Sequence, residues 1–389
     1  MRIKFAFLVV LGVLFILAVF VFYFRGQDKI PQVGSNNFVT QVPLSTPTGT
    51  ASVTILPDTP VVSVVAEGLD TPWAMAFLPR GGALITERKG TVRLVTAAGE
   101  LLTSPIGQII VREVGESGLH GIALHPDFNE NSLVYLYYTY EESGSNSLNR
   151  VARFTFDGAR LSNEEIIVDK IPGAPNHDGG RIKFGPDKLL YITTGDAQEP
   201  SLAQDKNSLA GKVLRVTEGG TPAPGNPFGN RVYSLGHRNP QGIVWDNNGT
   251  LWETEHGPSG AESGNDEFNK IEPGKNYGWP DIRGRETKAG MVVPILESGR
   301  SDTWAPAALA YINGKFYFAG LRGSALYEVS EVTSANPKFR VLFKGEYGRL
   351  REVIAGPDGM LYVTTSNRDG RGIPKVGDDK VLRINPAKL

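Results

Sequence analysis

One hairpin pattern returns six times along this chain: an apolar alternating strand, a turn of Pro, Asp, Asn or Gly, and a second apolar strand. The copies are WAMAFLPRGGALITE (73–87), LHGIALHPDFNENSLVYLYY (119–138), GRIKFGPDKLLYITTGD (180–196), QGIVWDNNGTLWETE (241–255), PAALAYINGKFYFAG (306–320) and REVIAGPDGMLYVTT (351–365). Equivalent apolar positions are Leu84, Leu133, Leu190, Leu251, Phe316 and Leu361, about 55 residues apart on average. Repeats of that order with several strands each point to a propeller. Further strand candidates, GTVRLVT, RVARFTFDG, GKVLRVTE, SALYEVS and DDKVLRINP, follow the hairpins. The expected architecture is therefore all-β, a six-bladed β-propeller; a pair of sandwiches would not explain six copies of one hairpin. The longest intervals fall between Leu190 and Phe316, and long loops on a rigid scaffold are where sites are built.

Composition agrees. There are 46 glycines and 26 prolines in 389 residues, which favours many turns and few long helices. The formal net charge of −1 gives no basic surface, so no nucleic-acid partner is expected. With no cysteine, disulfides, thiolate catalysis and cysteine-ligated metals are excluded. Residues 5–24, FAFLVVLGVLFILAVFVFYF, carry no charge and are long enough to cross a bilayer as a helix. The run ends in Tyr-Phe-Arg with no small-residue cleavage site, so the reading is an uncleaved membrane anchor over 1–25. A tether rich in Ser, Thr, Pro, Gln and Asn follows over 26–57, and the propeller domain occupies 58–389. The expected location is membrane-anchored, with the domain outside the cytoplasm, periplasmic or extracellular.

Four stretches carry residues that scaffolding does not need. In HDGGRIKFGPDKLLYITTGD (177–196), a hairpin brings the start of one strand beside the end of the next, so His177 and Asp196 can meet at one rim. A carboxylate that orients an imidazole is a general-base arrangement. A surface histidine and a turn aspartate would look the same in this segment alone. GHRNPQG (236–242) offers Arg238, a planar fork suited to carboxylates or a polarised carbonyl, or to a salt bridge between blades. The acid-rich ETEHGPSGAESGNDEFNKIEPGKNYGWP (253–280) suits a hard cation, and equally a solvated acidic loop. In GRLREV, Arg349 and Arg351 lie two residues apart on one strand face, and such a pair wants an anion.

Taken with GLHGIALHPDF, EHGP and GRLREVIAGPDG, these stretches make the chain resemble the quinoprotein glucose/sorbosone dehydrogenase family, in particular its aldose sugar dehydrogenase branch, from about Val61 to the C-terminus. The resemblance implies a six-bladed propeller that uses pyrroloquinoline quinone (PQQ) and calcium. It places His177 on the family's catalytic base, Asp196 on the partner carboxylate, and Arg238 and Asn239 on quinone contacts. Arg349 and Arg351 fall on arginines that pair with PQQ carboxylates, with Thr303 and Arg322 matching further cofactor positions. Gly257 and Pro258 fall on the pair whose backbone carbonyls bind the calcium. Glu116 stands where relatives commonly have Gln. A carboxylate beside a tri-acid cofactor is repelled unless it is protonated or paired with a cation.

The implied reaction is oxidation of the C1 hydroxyl of an aldose sugar to the lactone. His177 takes the hydroxyl proton, hydride goes to the quinone, Arg238 stabilises the developing charge, and electrons leave to an external acceptor. Two other classes use the same fold: a calcium-dependent, lactonase-like hydrolytic propeller, and a non-catalytic extracellular binding propeller. The first leaves the Arg349/Arg351 pair without a purpose, whereas Glu116 keeps the second open.

Overall fold

The computed structural model describes residues 59–142, 146–260 and 263–389, all within one compact unit, Val53–Leu389. The expected anchor and tether (1–57) lie outside the described residues. Among those described, no helix is long and apolar enough to cross a membrane.

Among the described residues, 24 strands form six four-stranded antiparallel sheets. Each repeated hairpin supplies the first two strands of one blade: β2 (Pro72–Phe77) with β3 (Ala83–Glu87), β6 (Leu119–Leu124) with β7 (Leu133–Glu142), and β10 (Ile182–Phe184) with β11 (Leu190–Thr194). The other three are β14 (Pro240–Trp245) with β15 (Leu251–Glu255), β18 (Pro306–Ile312) with β19 (Lys315–Gly320), and β22 (Leu350–Ala355) with β23 (Leu361–Thr365). First strands of neighbouring blades touch one another around a closed ring. The chain is therefore a six-bladed β-propeller.

The five extra strands expected from sequence are all third strands: β4 (Thr91–Val95), β8 (Asn146–Phe156), β12 (Lys212–Val216), β20 (Ala325–Ser330) and β24 (Val381–Ile384). The third strand of blade 4, β16 (Glu267–Ile271), lies inside the stretch whose acids suggested a solvated loop. That reading is corrected: Glu253, Glu255 and Glu267 are buried and converge on one amide. Asn269 Nδ2 donates to Glu253 Oε2 and Glu267 Oε2 at 3.1 Å and to Glu255 Oε1 at 3.3 Å. Burial, reinforced by the neighbouring Glu255, pushes the Glu253 and Glu267 carboxyls well above the usual carboxylate range. Composition counted these acids as a charged loop; in the core they are polar strand residues, with Glu253 and Glu267 driven towards the neutral form.

The sixth sheet has the order β1-β24-β23-β22, so β1 (Val62–Ala66) pairs antiparallel with the last strand and closes the ring. Six apolar clusters result, one between each pair of neighbouring blades. Strand alternation builds them. Along β7, Val134, Leu136 and Tyr138 pack towards blade 1, while Tyr135 and Tyr137 pack towards blade 3. Both faces of each blade are covered, which is why the hairpins read as nearly continuous apolar runs.

On the axis, Arg181 of blade 3 donates from Nη1 to Glu352 Oε2 of blade 6 at 2.7 Å, and both side chains are buried. Arg181 Nε donates to the Gln241 carbonyl of blade 4 at 2.9 Å, and its guanidinium lies 4.4 Å from the Trp73 ring of blade 1. The Met75 backbone N–H of blade 1 donates to the same Glu352 oxygen at 3.1 Å. Removing one member of a buried pair leaves the other charge uncompensated. Glu352→Ala should lower unfolding stability by about 3–5 kcal/mol, read by chemical denaturation, whereas a loss below about 1 kcal/mol would show that the axis does not depend on this pair.

Candidate functional site

In every blade the start of the first strand lies beside the end of the second, so both ends can present side chains on one face of the ring. That face holds a cleft of about 660 Å³, within the range of small-molecule and cofactor sites. Its wall takes Glu116 before β6, His177 before β10, Arg238 before β14, Thr303 before β18 and Arg349 before β22. Gly257 and Pro258 after β15, and Arg322 after β19, complete the lining among the residues expected from sequence. Asp196, Asn239 and Arg351 stand behind the wall, each bonded to groups that form or support it.

His177 Nδ1 and Asp196 Oδ1 are 2.8 Å apart. Asp196 is fully buried and further held by Trp279 Nε1 at 2.8 Å and the Gln198 backbone N–H at 2.9 Å. With Nδ1 donating to the carboxylate, Nε2 is the accepting nitrogen of the ring. The His177 backbone is left-handed, with φ of 66°, a conformation costing a non-glycine residue on the order of 1–3 kcal/mol. A Cβ on Gly195 would sit 1.8 Å from the His177 carbonyl oxygen, so the residue before Asp196 has to be glycine for the two segments to approach. Behind them, buried Asp178 accepts from Ser117 Oγ, Asn149 Nδ2 and the Ala174 N–H. Burial outweighs these bonds and brings its carboxyl up to about 6.

Arg238 is anchored through its backbone N–H to Glu255 Oε2 at 2.7 Å, with Nη1 on the His256 carbonyl at 3.3 Å and its guanidinium 5.3 Å from the Trp279 ring. Among the described residues, Arg238 Nε and His256 Nε2 are buried without a hydrogen-bond partner. Asn239 accepts the Gly179 N–H at 3.0 Å and reaches Glu116 Oε2 at 3.5 Å. Asp266 ties the opposite wall together: it accepts the Gly257 N–H at 2.8 Å, the Thr303 hydroxyl at 2.9 Å and the Trp304 N–H at 2.6 Å. Arg322 Nη1 donates to Ser263 Oγ at 3.2 Å.

Arg349 and Arg351 converge as their spacing suggested, and the fold already supplies one anion. Arg349 Nε donates to Asp369 Oδ2 at 2.8 Å, and Arg351 Nη2 lies 4.0 Å from the same oxygen. Burial would raise Asp369, but the two guanidiniums hold its carboxyl below the usual range. Burial likewise brings Arg351 down to about 10, so it stays charged at neutral pH.

Sequence reasoning missed Asp369, Asp266, Trp279 and Arg371. The repeat carried a signal for the first: LYVTTSNRD ends the second strand of blade 6 as LYITTGD, with Asp196, ends that of blade 3. Arg371 lines the cleft two residues beyond Asp369.

Four arginines (238, 322, 349 and 371) face two carboxylates across the cleft wall. The unpartnered Arg238 Nε offers one more donor, so the site fits a group bearing several carboxylates. Gly257 and Pro258 add backbone carbonyls of the kind a hard cation takes.

The fold and the cleft together are those of a six-bladed propeller with a site of small-molecule size on one face. The Glucose / Sorbosone dehydrogenase family model matches residues 69–375. The chain belongs to that family. It is 32% identical over 369 residues to the aldose sugar dehydrogenase YliI of Escherichia coli K12, covering 85% of this chain and 94% of the relative. It is 30% identical over 260 residues to quinoprotein glucose dehydrogenase B of Acinetobacter calcoaceticus, covering 58% and 54%. The PQQ-bound structure of an aldose sugar dehydrogenase from Streptomyces coelicolor superposes with a TM-score of 0.76 at 41% identity, covering 83% of this chain and 97% of that one.

Because Asp369 is depressed by its arginines, its stabilising effect is complete above the unfolded value near 3.8 and is lost as pH falls through the lower folded value. Asp369→Asn should therefore flatten the acid limb of a stability–pH curve and cost about 3 kcal/mol or more at neutral pH. An unchanged acid limb would show that the arginines do not hold this carboxylate.

Proposed function

We propose that this protein is a PQQ- and calcium-dependent aldose dehydrogenase that oxidises the C1 hydroxyl of a sugar to the lactone and passes the electrons to an external acceptor. The observation that carries this reading is the His177–Asp196 pair, set at the rim of a cleft whose remaining wall is rich in guanidinium groups. Family membership and the PQQ-bound relative support the choice of cofactor.

Arg349 and Arg351, together with Thr303, Arg322 and Asn239, are the groups that would hold the cofactor's carboxylates and polar edge. Gly257 and Pro258 would give their carbonyls to calcium, with the Asp266 bond to the Gly257 N–H fixing that turn. When bound, PQQ supplies an ortho-quinone that accepts the C1 hydride. His177 Nε2 accepts the C1 hydroxyl proton while Asp196 keeps the other nitrogen protonated and steadies the imidazolium. Arg238, with its Nε unclaimed, is placed to donate to oxygen on which negative charge develops. Trp279 and the Gln198 N–H hold Asp196, so the carboxylate orients the ring without moving.

The uncharged run 5–24 supports a membrane anchor with the propeller outside the cytoplasm, a position that keeps the enzyme near an acceptor at the membrane. On this reading full-length protein stays with membranes through carbonate extraction; a mature N-terminus beyond Arg25 would identify the run as a cleaved signal.

The direct test adds PQQ and calcium to the protein and follows dye reduction with several aldoses. The parent should turn over and lose activity to a chelator. His177→Ala should still bind PQQ but turn over on the order of 10²–10⁴-fold more slowly. Near-parental turnover in that variant would remove the histidine from the mechanism.

A further inference from the structure

The loop after β23 delivers Arg371 to the cleft wall opposite its own blade. Its Nη1 donates to Glu116 Oε1 at 2.5 Å and its Nη2 to Asn176 Oδ1 at 2.9 Å, joining blade 6 to the segments that open blades 2 and 3. The same loop is folded around Asp369, whose Oδ1 accepts the Arg371 N–H at 2.9 Å and the Gly372 N–H at 3.2 Å. One carboxylate thus gathers Arg349 on one oxygen and sets the backbone that aims Arg371 with the other.

Glu116 is the partner that gives this arrangement its meaning. Its side chain is 16% exposed, against 53% for Arg371, so the carboxylate depends on its neighbours for compensation more than the guanidinium does. Its other oxygen faces the His177 N–H at 3.4 Å and Asn239 Nδ2 at 3.5 Å, beside the proposed base. Burial alone would raise the Glu116 carboxyl; His256 when protonated, Arg371 and His177 outweigh that and bring it down to about 2. Arg371 is the cation in direct hydrogen-bonded contact with this carboxylate.

We propose that Arg371 is a positioning residue for the cofactor, acting through Glu116: its guanidinium neutralises the carboxylate that lines the blade 2–3 side of the cleft, so that this wall accepts a polycarboxylate. The proposal rests on the reading of the cleft as a PQQ site. An uncompensated Glu116 would either repel the bound carboxylates or take up a proton. The contact is more than an ordinary surface ion pair, because one partner is largely buried and the other is fixed through its backbone and through Asn176.

PQQ affinity in the full-length protein with calcium, read by quenching of tryptophan emission, tests this directly. Arg371→Ala should weaken PQQ about 10- to 100-fold, and Arg371→Lys, which keeps the charge, should recover most of the loss. Glu116→Gln alone should shift the Kd by less than about threefold. The double variant Glu116→Gln/Arg371→Ala should return close to Glu116→Gln, since no charge is left to neutralise. A double variant as weak as Arg371→Ala, or a parental Kd in Arg371→Ala, would overturn the role while leaving the functional reading in place. Failure of the parent itself to bind PQQ would overturn that reading and the role with it. Unchanged near-UV dichroism in the variants separates these results from misfolding.

Discussion

The rest of the structure depends on the pairing of β1 with β24. Every blade has two apolar faces, and a row of six blades would leave the outer face of the first and the last in water. Closing the ring converts those faces into the sixth interblade cluster, where Ala66 and Val381 meet Met75, Ile85 and Val95. Bonds beyond the strands reinforce the closure: Leu69 and Asp379 exchange backbone hydrogen bonds at 3.0 and 2.9 Å, and Asp379 Oδ2 accepts the Thr71 N–H at 3.2 Å. The seam lies next to the loop that carries Asp369 and Arg371, so closure also completes one wall of the cleft.

A closed ring makes the site possible by geometry. Blades 2 to 6 each contribute only short segments to the cleft, yet residues as far apart in sequence as Glu116 and Arg371 bond to one another there. The segments that begin first strands need not be regular, and they tolerate the left-handed His177 because the packed strands behind them supply the stabilisation. Function-bearing side chains are thus held by a rigid frame while remaining outside its ladders.

Charge is organised in layers around the axis. Arg181 and Glu352 neutralise one another in the interior, Asp369 gathers the inner arginines, and Glu116 meets Arg371 near the mouth. Each carboxylate in this series has a cation in contact, whereas Glu253 and Glu267, which have none among the described residues, sit around an amide and are driven towards the neutral form. The cleft itself keeps an excess of guanidinium groups, suited to an anionic occupant.

Sequence alone determined the blade count, the inner hairpins and most of the third strands, because turn chemistry and apolar alternation are local properties. It also pointed to His177, Asp196, Arg238 and the Arg349/Arg351 pair, since these sit in runs whose residue types do not suit a core. Other features were decided only by tertiary structure. The burial of Glu253, Glu255 and Glu267 depends on which neighbours the strand meets, and composition scores an acid the same in a loop or a core. Arg371 gains Glu116 through the ring, at a separation of 255 residues, and Asp369 gains Arg349 across the blade 6 hairpin, 20 residues away. A local pattern carries no information about contacts made between the beginning and the end of a closed circle.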